Sequence, residues 1–286
     1  MKKQKTTILF YWVDAFTDEP FHGNPATVCI LTQPLSPTVM QSLAAEIGLS
    51  ETAFVHSTEG KTPQESAKFS LRWFTPKVEV KLCGHATLAS AAVLFQEVGV
   101  SAKEVSFETK SGRLSARQDE HGVSLDFPAE TLKPAKADTA VLNALGIDAV
   151  EAVQFSERLG MLLLRVSGED VVRRLQPDFD RLKATQNKET SMGVIVTARG
   201  NGPFDFVSRF FGPQLGINED PVTGSSHSVL TPYWSRILAK REMLAYQASA
   251  RGGKLRVRLR SDNRVDLVGE AFILIRGALR LPHSLS

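Results

Sequence analysis

The sequence predicts an α+β protein with two pseudo-symmetric domains, each a mostly antiparallel sheet or barrel wrapped around a central helix. Most of the chain alternates apolar and polar residues with a period of two, which is typical of half-buried strands. Two stretches, Cys83 to Gln96 and Pro221 to Ser235, break this alternation and contain no Asp, Glu, Lys or Arg. Because a helix that is apolar all round is a buried helix, we expect one central helix in each half.

The segments that lead into these two stretches resemble each other. The sequence from Arg72 to Pro76 reads RWFTP, and the sequence from Arg209 to Pro213 reads RFFGP. In both, an aromatic strand ends at proline and continues through a short loop to the uncharged stretch. Self-similarity at about half the chain length indicates a duplicated unit. A duplicated unit leaves one cleft between its halves, and such seams favour ligand sites.

The individual elements follow from the same patterns, taken in chain order. In the first half, alternation predicts strands at Thr6 to Ala15, Ala26 to Leu31, Thr52 to His56, Lys68 to Phe74, Glu104 to Thr109, Arg113 to Gln118 and Val123 to Phe127. One amphipathic helix is predicted at Pro37 to Ile47, with Ser36 as its cap.

The second half repeats this scheme. Predicted strands are Ala149 to Phe155, Met161 to Val166, Met192 to Ala198, Phe204 to Phe211, Leu244 to Ser249, Lys254 to Leu259, Arg264 to Val268 and Ala271 to Leu279. Predicted helices are Asp138 to Leu145, Asp170 to Leu175 and Phe179 to Gln186. The segment from Pro128 to Pro134 has linker character, so we expect domains at 1–128 and 129–286, with the last strand able to return to the first domain.

Composition narrows the functional classes. The chain has 286 residues, 42% of them hydrophobic and 23% charged, as in an ordinary globular protein. A net charge of +3 with six histidines is too small to indicate nucleic acid or an anionic membrane as partner. With only two cysteines, we expect neither a disulfide framework nor a four-ligand zinc site. Since no segment has the roughly 18 apolar residues of a membrane span, we expect a cytoplasmic protein.

The amino-terminal ends of the two buried helices are candidate anion sites, because their backbone N–H groups are unpaired and carry partial positive charge. His85 lies at the start of the first helix and Asp220 at the start of the second. Other interpretations stay open, since Asp-Pro is a routine helix cap and His85 could be a structural histidine. The functional interpretation depends on their matching positions in the two copies.

Glu51 is a third candidate, because it leads directly into the apolar strand Thr52 to Val55. A carboxylate at such a place is partly desolvated, which raises its pKa toward values useful in general acid–base catalysis. The alternative is a solvated glutamate at a strand end.

Cys83, close to His85, suggests a thiol nucleophile. If both residues are helical, however, side chains two positions apart point to nearly opposite sides and cannot bond each other. An extended Cys83 would escape this objection, and the alternative is a nonreactive buried cysteine. A serine hydrolase is not indicated at Gly224 to His227, because the Gly-x-Ser-x-Gly motif is absent.

Several motifs, in order along nearly the whole chain, resemble the PhzF-like isomerase family of phenazine biosynthesis-like proteins. These motifs are Val13 to Thr17, Gly23 to Ala26, Leu49 to Phe54, Leu82 to Thr87, Glu219 to Ser225 and Ser249 to Gly253. The family it resembles has the diaminopimelate epimerase-like fold, which agrees with the duplicated architecture.

The resemblance implies a cofactor-independent isomerase that moves a proton in a small carboxylate. The resemblance implies that Glu51 is the general acid/base of this isomerase, and that His85 and Asp220 orient the substrate and assist the proton transfer. The motif positions expected to bind the substrate are Asn24, Gly84, Ala86, Thr223, Gly224 and Ser225. No metal is expected, and the family suggests a homodimer.

The resemblance leaves two alternatives. In the epimerases of this fold, a cysteine at the start of each central helix serves as acid or base, and here those positions match Gly84 and Asp220, with Cys83 one residue early. A racemase or epimerase using Cys83 or Asp220 as second acid is therefore one alternative. The other is a non-catalytic ligand-binding protein on the same fold.

Overall fold

The computed structural model describes residues 5–185 and 192–282. In its first part, the elements are β1 (Lys5–Ala15), β2 (Asn24–Leu31), α1 (Pro37–Ile47), β3 (Glu51–Ser57), β4 (Lys68–Phe74), β5 (Glu79–Val80), α2 (Gly84–Val93), β6 (Glu104–Thr109), β7 (Gly112–Asp119) and β8 (Gly122–Pro128). A short π-helical turn, Leu94–Val98, continues α2.

The later elements are β9 (Lys133–Pro134), α3 (Thr139–Leu145), β10 (Ala152–Ser156), β11 (Met161–Arg165), α4 (Glu169–Arg174), α5 (Phe179–Thr185), β12 (Gly193–Arg199), β13 (Phe206–Gly212), β14 (Ile217–Asp220), α6 (Gly224–Leu238), β15 (Glu242–Gln247), β16 (Gly253–Leu259), β17 (Arg264–Gly269) and β18 (Ala271–Pro282). Gln186, the predicted last residue of α5, lies outside the described residues. None of the helices in the described ranges combines the length and the apolarity that a membrane-spanning helix needs.

The chain divides into two compact units by its internal contacts. The first unit comprises the described residues up to 126 and from 268 onward, and the second comprises the described residues between 127 and 267. The first unit includes the carboxyl-terminal strand because β18 pairs antiparallel with β1 along almost its whole length, from Lys5 opposite Pro282 to Ala15 opposite Ala271.

The same succession of strand pairings occurs in both units. In the first, β2 and β3 are parallel, β3 and β4 antiparallel, β4 and β6 parallel, and β6 and β7 antiparallel. In the second, β11 and β12 are parallel, β12 and β13 antiparallel, β13 and β15 parallel, and β15 and β16 antiparallel. The expected duplication is thus present in the topology, and the strand pairings within each unit are mostly antiparallel.

A central helix connects the second parallel pair of each unit. In the first unit α2 packs against β1, β2 and β3, and every residue from His85 to Val93 is buried. In the second unit α6 packs against β15 and β16, with most of its residues buried. Each fully buried Leu or Val side chain in these helices contributes about 1.5–3 kcal/mol of transfer free energy. The predicted fold class is confirmed.

Several buried polar side chains within these helices bond to the helix itself, which helps an uncharged but not wholly apolar sequence to lie in the core. Thr87 Oγ1 donates to the Cys83 carbonyl at 2.5 Å, and Ser90 Oγ donates to the Ala86 carbonyl at 2.7 Å. In α6, Thr231 Oγ1 donates to the His227 carbonyl at 2.5 Å. Such back-bonding satisfies a hydroxyl without any partner from another element.

The helix α1 has the bounds and the cap that the sequence predicts. Ser36 is extended and its Oγ accepts the Val39 N–H, Pro37 occupies the first turn, and Gly48 ends the helix in the left-handed region with φ of 75°. This helix precedes β3 directly, so its end determines where Glu51 enters the sheet.

Candidate functional site

Glu51 and His85 form an ion pair inside the first unit. Glu51 is the first residue of β3 and pairs in register with Ala26 of β2, and His85 is the second residue of α2. Both residues are buried, at 8% and 6% exposure. His85 Nε2 lies 3.2 Å from Glu51 Oε2. This oxygen nevertheless has no aligned hydrogen-bond donor among the described residues.

Cys83 contacts the same imidazole ring. Its backbone is extended, with φ of −146° and ψ of 113°, because it is the N-cap of α2 and not a helical residue. Its Sγ is 3.6 Å from His85 Nδ1 and 3.9 Å from Nε2. The helical geometry considered above, in which the two side chains cannot meet, is therefore wrong. The expectation that Cys83 is buried is confirmed.

The pKa of Glu51 differs in direction from the expectation. Burial raises the pKa of this carboxyl, but the adjacent His85 stabilises the ionised form and holds the pKa below its ordinary value. The expected net increase is wrong because sequence alone does not show that β3 begins beside a histidine. Glu51 is therefore a carboxylate at neutral pH.

The two partners of this carboxylate keep their protons. Burial lowers the pKa of His85, but its contacts with Cys83 and Glu51 outweigh burial and raise that pKa well above the ordinary value. Burial raises the pKa of the Cys83 thiol, with His85 only partly offsetting the effect. The contact with Cys83 contributes most to the raised pKa of His85, and the Glu51 carboxylate adds to it.

The same three side chains offer donor atoms for a metal ion. One ligand atom each from Glu51, Cys83 and His85 lies within 4.8 Å of the others, and all three residues are buried. Such a set combines a carboxylate oxygen, an imidazole nitrogen and a sulfur, which suits zinc-like cations better than magnesium or calcium.

The remaining candidates of the first unit lie close to this group along the chain. Gly84 and Ala86 flank His85 in the first turn of α2, where backbone N–H groups have no partner within the helix. Asn24 is fully buried at the start of β2, two residues before Ala26, and so lies at the same end of the sheet as Glu51.

Asp220 belongs to the second unit, and it does not begin the helix. It is the last residue of β14, pairs with Phe210 of β13 and is partly buried. The N-cap of α6 is Thr223, whose Oγ1 donates to Asp220 Oδ2 at 2.5 Å. The cap interpretation of Asp220 is therefore wrong, because Asp220 lies three positions before the cap. Gly224 and Ser225 form the first turn of α6.

Gln247 fixes the segment from Asp220 to Thr223 by hydrogen bonds, and this role was not predicted from the sequence. It is fully buried, its Oε1 accepts the Thr223 N–H at 2.9 Å, and its Nε2 donates to the Asp220 carbonyl at 2.7 Å. The amide side chain thus bonds Asp220 and Thr223, which flank Pro221 and Val222. A buried glutamine near the end of an apolar strand was the available signal, since a buried amide needs partners for both its ends.

An arginine–glutamate pair also fixes the residue before Asp220. Arg209 Nε and Nη2 donate to the two carboxylate oxygens of Glu219 at 2.6 and 2.8 Å, and its other nitrogen, Nη1, donates to the Leu175 carbonyl at 2.7 Å. Its guanidinium carbon lies 5.0 Å from the centre of the Phe211 ring. This two-point geometry restricts the side chain far more than a lysine could.

The first unit contains the matching pair. Arg72 Nε and Nη2 donate to both oxygens of Glu79 at 2.8 Å, and its guanidinium carbon lies 5.2 Å from the Phe74 ring centre. The two arginines begin the repeated pentapeptides, so the repeat signalled these pairs although their partners could not be read from it. In both units the pair connects a long strand, β4 or β13, to the short strand before the central helix, β5 or β14.

Comparisons of the sequence and the structure with known proteins agree on the family and the fold of this chain. Residues 13–277 match the family model PhzC-PhzF, described as phenazine biosynthesis-like protein. An uncharacterized isomerase of Pseudomonas aeruginosa is 43% identical over 96% of this chain and 99% of its own length. A PhzF-family phenazine biosynthesis protein of Enterococcus faecalis, solved by crystallography, has 40% identity and a TM-score of 0.88, covering 96% of this chain and 99% of that chain. A hydroxyproline epimerase of Agrobacterium vitis, 11% identical, shares the fold with a TM-score of 0.57 over 99% of this chain and 94% of that chain.

Proposed function

Because the chain belongs to the PhzC-PhzF family of phenazine biosynthesis-like proteins and is an isomerase, we propose that it moves a proton within a small carboxylate substrate by cofactor-independent general acid–base catalysis. Glu51 is the group that takes and returns the proton. The observation that carries this proposal is the buried Glu51 carboxylate, 3.2 Å from His85, with one oxygen that no donor is aligned to bond.

The protonation states favour Glu51 as the initial base. The lowered pKa of Glu51 keeps its carboxyl group ionised, and no described donor is aligned to hydrogen-bond its Oε2 atom. His85, held protonated beside it, keeps the buried pair electrically neutral. When the carboxylate accepts a proton from carbon, this imidazolium becomes the nearest charge to the new anion and can stabilise it.

The substrate carboxylate is assigned to the first turn of α2. The N–H groups of Gly84 and Ala86 lie in that turn, and a helix amino terminus favours an anion by both its free donors and its dipole. This placement would put the substrate anion beside the acid–base pair. This position is also largely shielded from solvent, because the residues around it are buried.

In the second unit, Asp220, Thr223, Gly224 and Ser225 remain assigned to the substrate on the basis of the family resemblance. This assignment is supported by the hydrogen bonds that fix the segment. Thr223 Oγ1 donates to the Asp220 carboxylate, and the Gln247 amide bonds the backbone of both Asp220 and Thr223. A cytoplasmic homodimer stays a prediction, and size-exclusion chromatography with light scattering would test its oligomeric state.

A specific observation favours one alternative, an epimerase. The extended Cys83 places its thiol 3.6 Å from the imidazole, and a neutral thiol can donate the proton that a second face of the substrate requires. Epimerisation predicts inversion of a stereocentre and a severe loss of turnover in Cys83→Ser. A non-catalytic binding protein predicts saturable binding of a carboxylate with no exchange of carbon-bound hydrogen.

The test is solvent exchange in heavy water, with a panel of small carboxylates and mass spectrometry to find carbon-bound deuterium. Glu51→Gln keeps the shape of the side chain and should reduce exchange by about 10²-fold or more while binding changes little. Glu46→Gln, on an exposed position of α1, is the control and should exchange as the wild type does. Undiminished exchange in Glu51→Gln would contradict the assignment.

A further inference from the structure

The backbone from Asp220 to Thr223 is bonded by side chains that come from the end of one strand. Gln247, the last residue of β15, accepts the Thr223 N–H and donates to the Asp220 carbonyl, as described above. Two residues later, Ser249 Oγ donates to the Pro221 carbonyl at 2.8 Å. These two side chains thus fix the peptide groups just before α6, and we call Gln247 and Ser249 the clamp.

The backbone determines the direction of the clamp bonds. The Thr223 N–H can only donate and the Asp220 carbonyl can only accept, so the Gln247 amide has one possible orientation. Its Nε2 also lies 3.3 Å from Thr223 Oγ1, which accepts from it and gives its own proton to Asp220 Oδ2 at 2.5 Å. The clamp therefore reaches the Asp220 carboxylate itself through one hydroxyl group.

Ser249 begins the motif Ser249 to Gly253, which none of the functional assignments above explains. The Gly252 N–H donates to Ser249 Oγ at 3.1 Å, so the proton of this hydroxyl is directed to the Pro221 carbonyl. Gly252 has φ of 68°, and a Cβ there would lie 2.1 Å from the Tyr246 hydroxyl oxygen. Both the backbone angle and this close approach favour glycine at the position that orients Ser249.

The first unit has a different residue at the place of Gln247. Gln247 pairs with Ser208, which the repeated pentapeptides match to Leu71. The register of β4 with β6, continued by one residue, places Thr109 beside Leu71. Thr109 Oγ1 donates to the Gly112 carbonyl at 2.7 Å, within its own turn. Since the duplicated fold forms α2 with a threonine there, the glutamine serves a purpose particular to the second unit.

We infer that Gln247 and Ser249 are positioning residues of the isomerase, which aim the Asp220 carboxylate by clamping the backbone before α6. The effect on turnover rests on the proposed function, in which Asp220 orients the substrate, whereas the clamp itself does not. A shift of about 1 Å in a group that orients the substrate can cost about 10²-fold in rate, so residues that do not touch the substrate can still matter.

The clamp is tested without substrate by amide hydrogen exchange, followed by NMR on the full-length protein. Gln247→Met keeps a side chain of similar length but supplies neither bond, so the Thr223 amide should exchange about tenfold faster relative to the core amide of Val196. Trp234→Phe, which removes the buried bond to Thr197 in the same unit, is the matched control and should leave this ratio unchanged. An unchanged ratio in folded Gln247→Met overturns the inference.

The consequence for catalysis is tested by solvent exchange with a carboxylate that the wild type deuterates. Gln247→Met should lower kcat/KM about tenfold or more, Ser249→Ala should lower it about threefold, and Trp234→Phe should stay within about twofold of the wild type. Urea denaturation establishes that each variant is folded in the assay. Equal losses in Gln247→Met and Trp234→Phe would show an effect of stability alone and overturn the positioning role. Absence of exchange in the wild type would instead contradict the proposed function, and amide exchange would still decide whether the clamp exists.

Discussion

His227 should make the stability of the protein strongly dependent on pH. Its ring is fully buried in α6, and its Nδ1 lies 2.9 Å from the Thr223 carbonyl, which accepts the proton of that nitrogen. Burial lowers the pKa of His227 to about 4 from an ordinary value of 6.5, and the Thr223 bond offsets this only in part. The folded protein therefore holds this ring neutral at pH values where the unfolded chain protonates it.

The size and sign of the effect follow from this difference. Because the folded pKa is lowered, the stability is fully present above pH 6.5 and is lost as the pH falls toward 4. A pKa difference of about 2.5 corresponds to about 3 kcal/mol in total, of which about 2 kcal/mol is lost between pH 7 and pH 5. Carboxylates whose pKa values are lowered in the folded protein, such as Glu51 and Glu79, are the same in wild type and variant and do not affect their difference.

The assay compares wild type with His227→Asn, which keeps a donor near the Nδ1 position but cannot titrate. The free energy of unfolding is measured by urea denaturation at half-unit intervals between pH 5 and pH 7. The substitution also loses packing against the Phe206 ring, 6.2 Å away centre to centre, but that loss is independent of pH and cancels in the slope. Parallel profiles for the two proteins would refute the reasoning, since the histidine would then have a similar pKa folded and unfolded.

Two further substitutions test contacts inside single units, both by urea denaturation at pH 7. Gly122→Ala should lower the free energy of unfolding by about 3 kcal/mol or more, because φ is 112° and a new Cβ would lie 2.4 Å from the Gly269 carbonyl oxygen. The control Gly99→Ala, with φ of 76° and open space around the new Cβ, should lower it by only about 1–2 kcal/mol. Equal losses in the two variants would contradict the steric argument. Trp234→Phe should cost about 1–2 kcal/mol, because it loses the 3.0 Å bond from Nε1 to Thr197 Oγ1 while ring stacking is retained, and an unchanged midpoint would show that this bond contributes nothing.

Elements whose pattern is local were predictable from the sequence. The strand Lys68–Phe74 and the helix Pro37–Ile47 have the predicted bounds, and Ser36 caps that helix as expected. The two uncharged stretches contain the buried helices α2 and α6. Alternation, capping residues and the absence of charge act over a few neighbouring residues, so they can be read without knowing the tertiary structure.

The short strands β5 and β14 were not predicted. Each has only a few residues, Glu79–Val80 and Ile217–Asp220, and neither has an alternation long enough to distinguish it from a loop. They form because β4 and β13 present partners across a turn. Asp220 consequently ends a strand, although its Asp-Pro sequence is typical of a helix start.

The chemistry at the candidate site was predicted in part. Glu51 and His85 were identified as separate candidates, and the structure places their side chains 3.2 Å apart. The lowered pKa of Glu51 and the contact of Cys83 with the imidazole were not predicted, since both depend on the position of α2 against β3. The sequence distance between these residues carries no information about that contact.

The sequence by itself determined the class of fold, the duplication, the family and the residue types available for proton transfer. It could do so because periodicity, small-residue content and motif order are properties of neighbours along the chain. Tertiary structure alone decided the extended backbone of Cys83, the ionisation of Glu51, and the bonds by which Gln247 and Arg209 hold the segment around Asp220. Those features arise where strands and helices distant in sequence are packed together, and burial and opposite charge act on a side chain only after that packing exists.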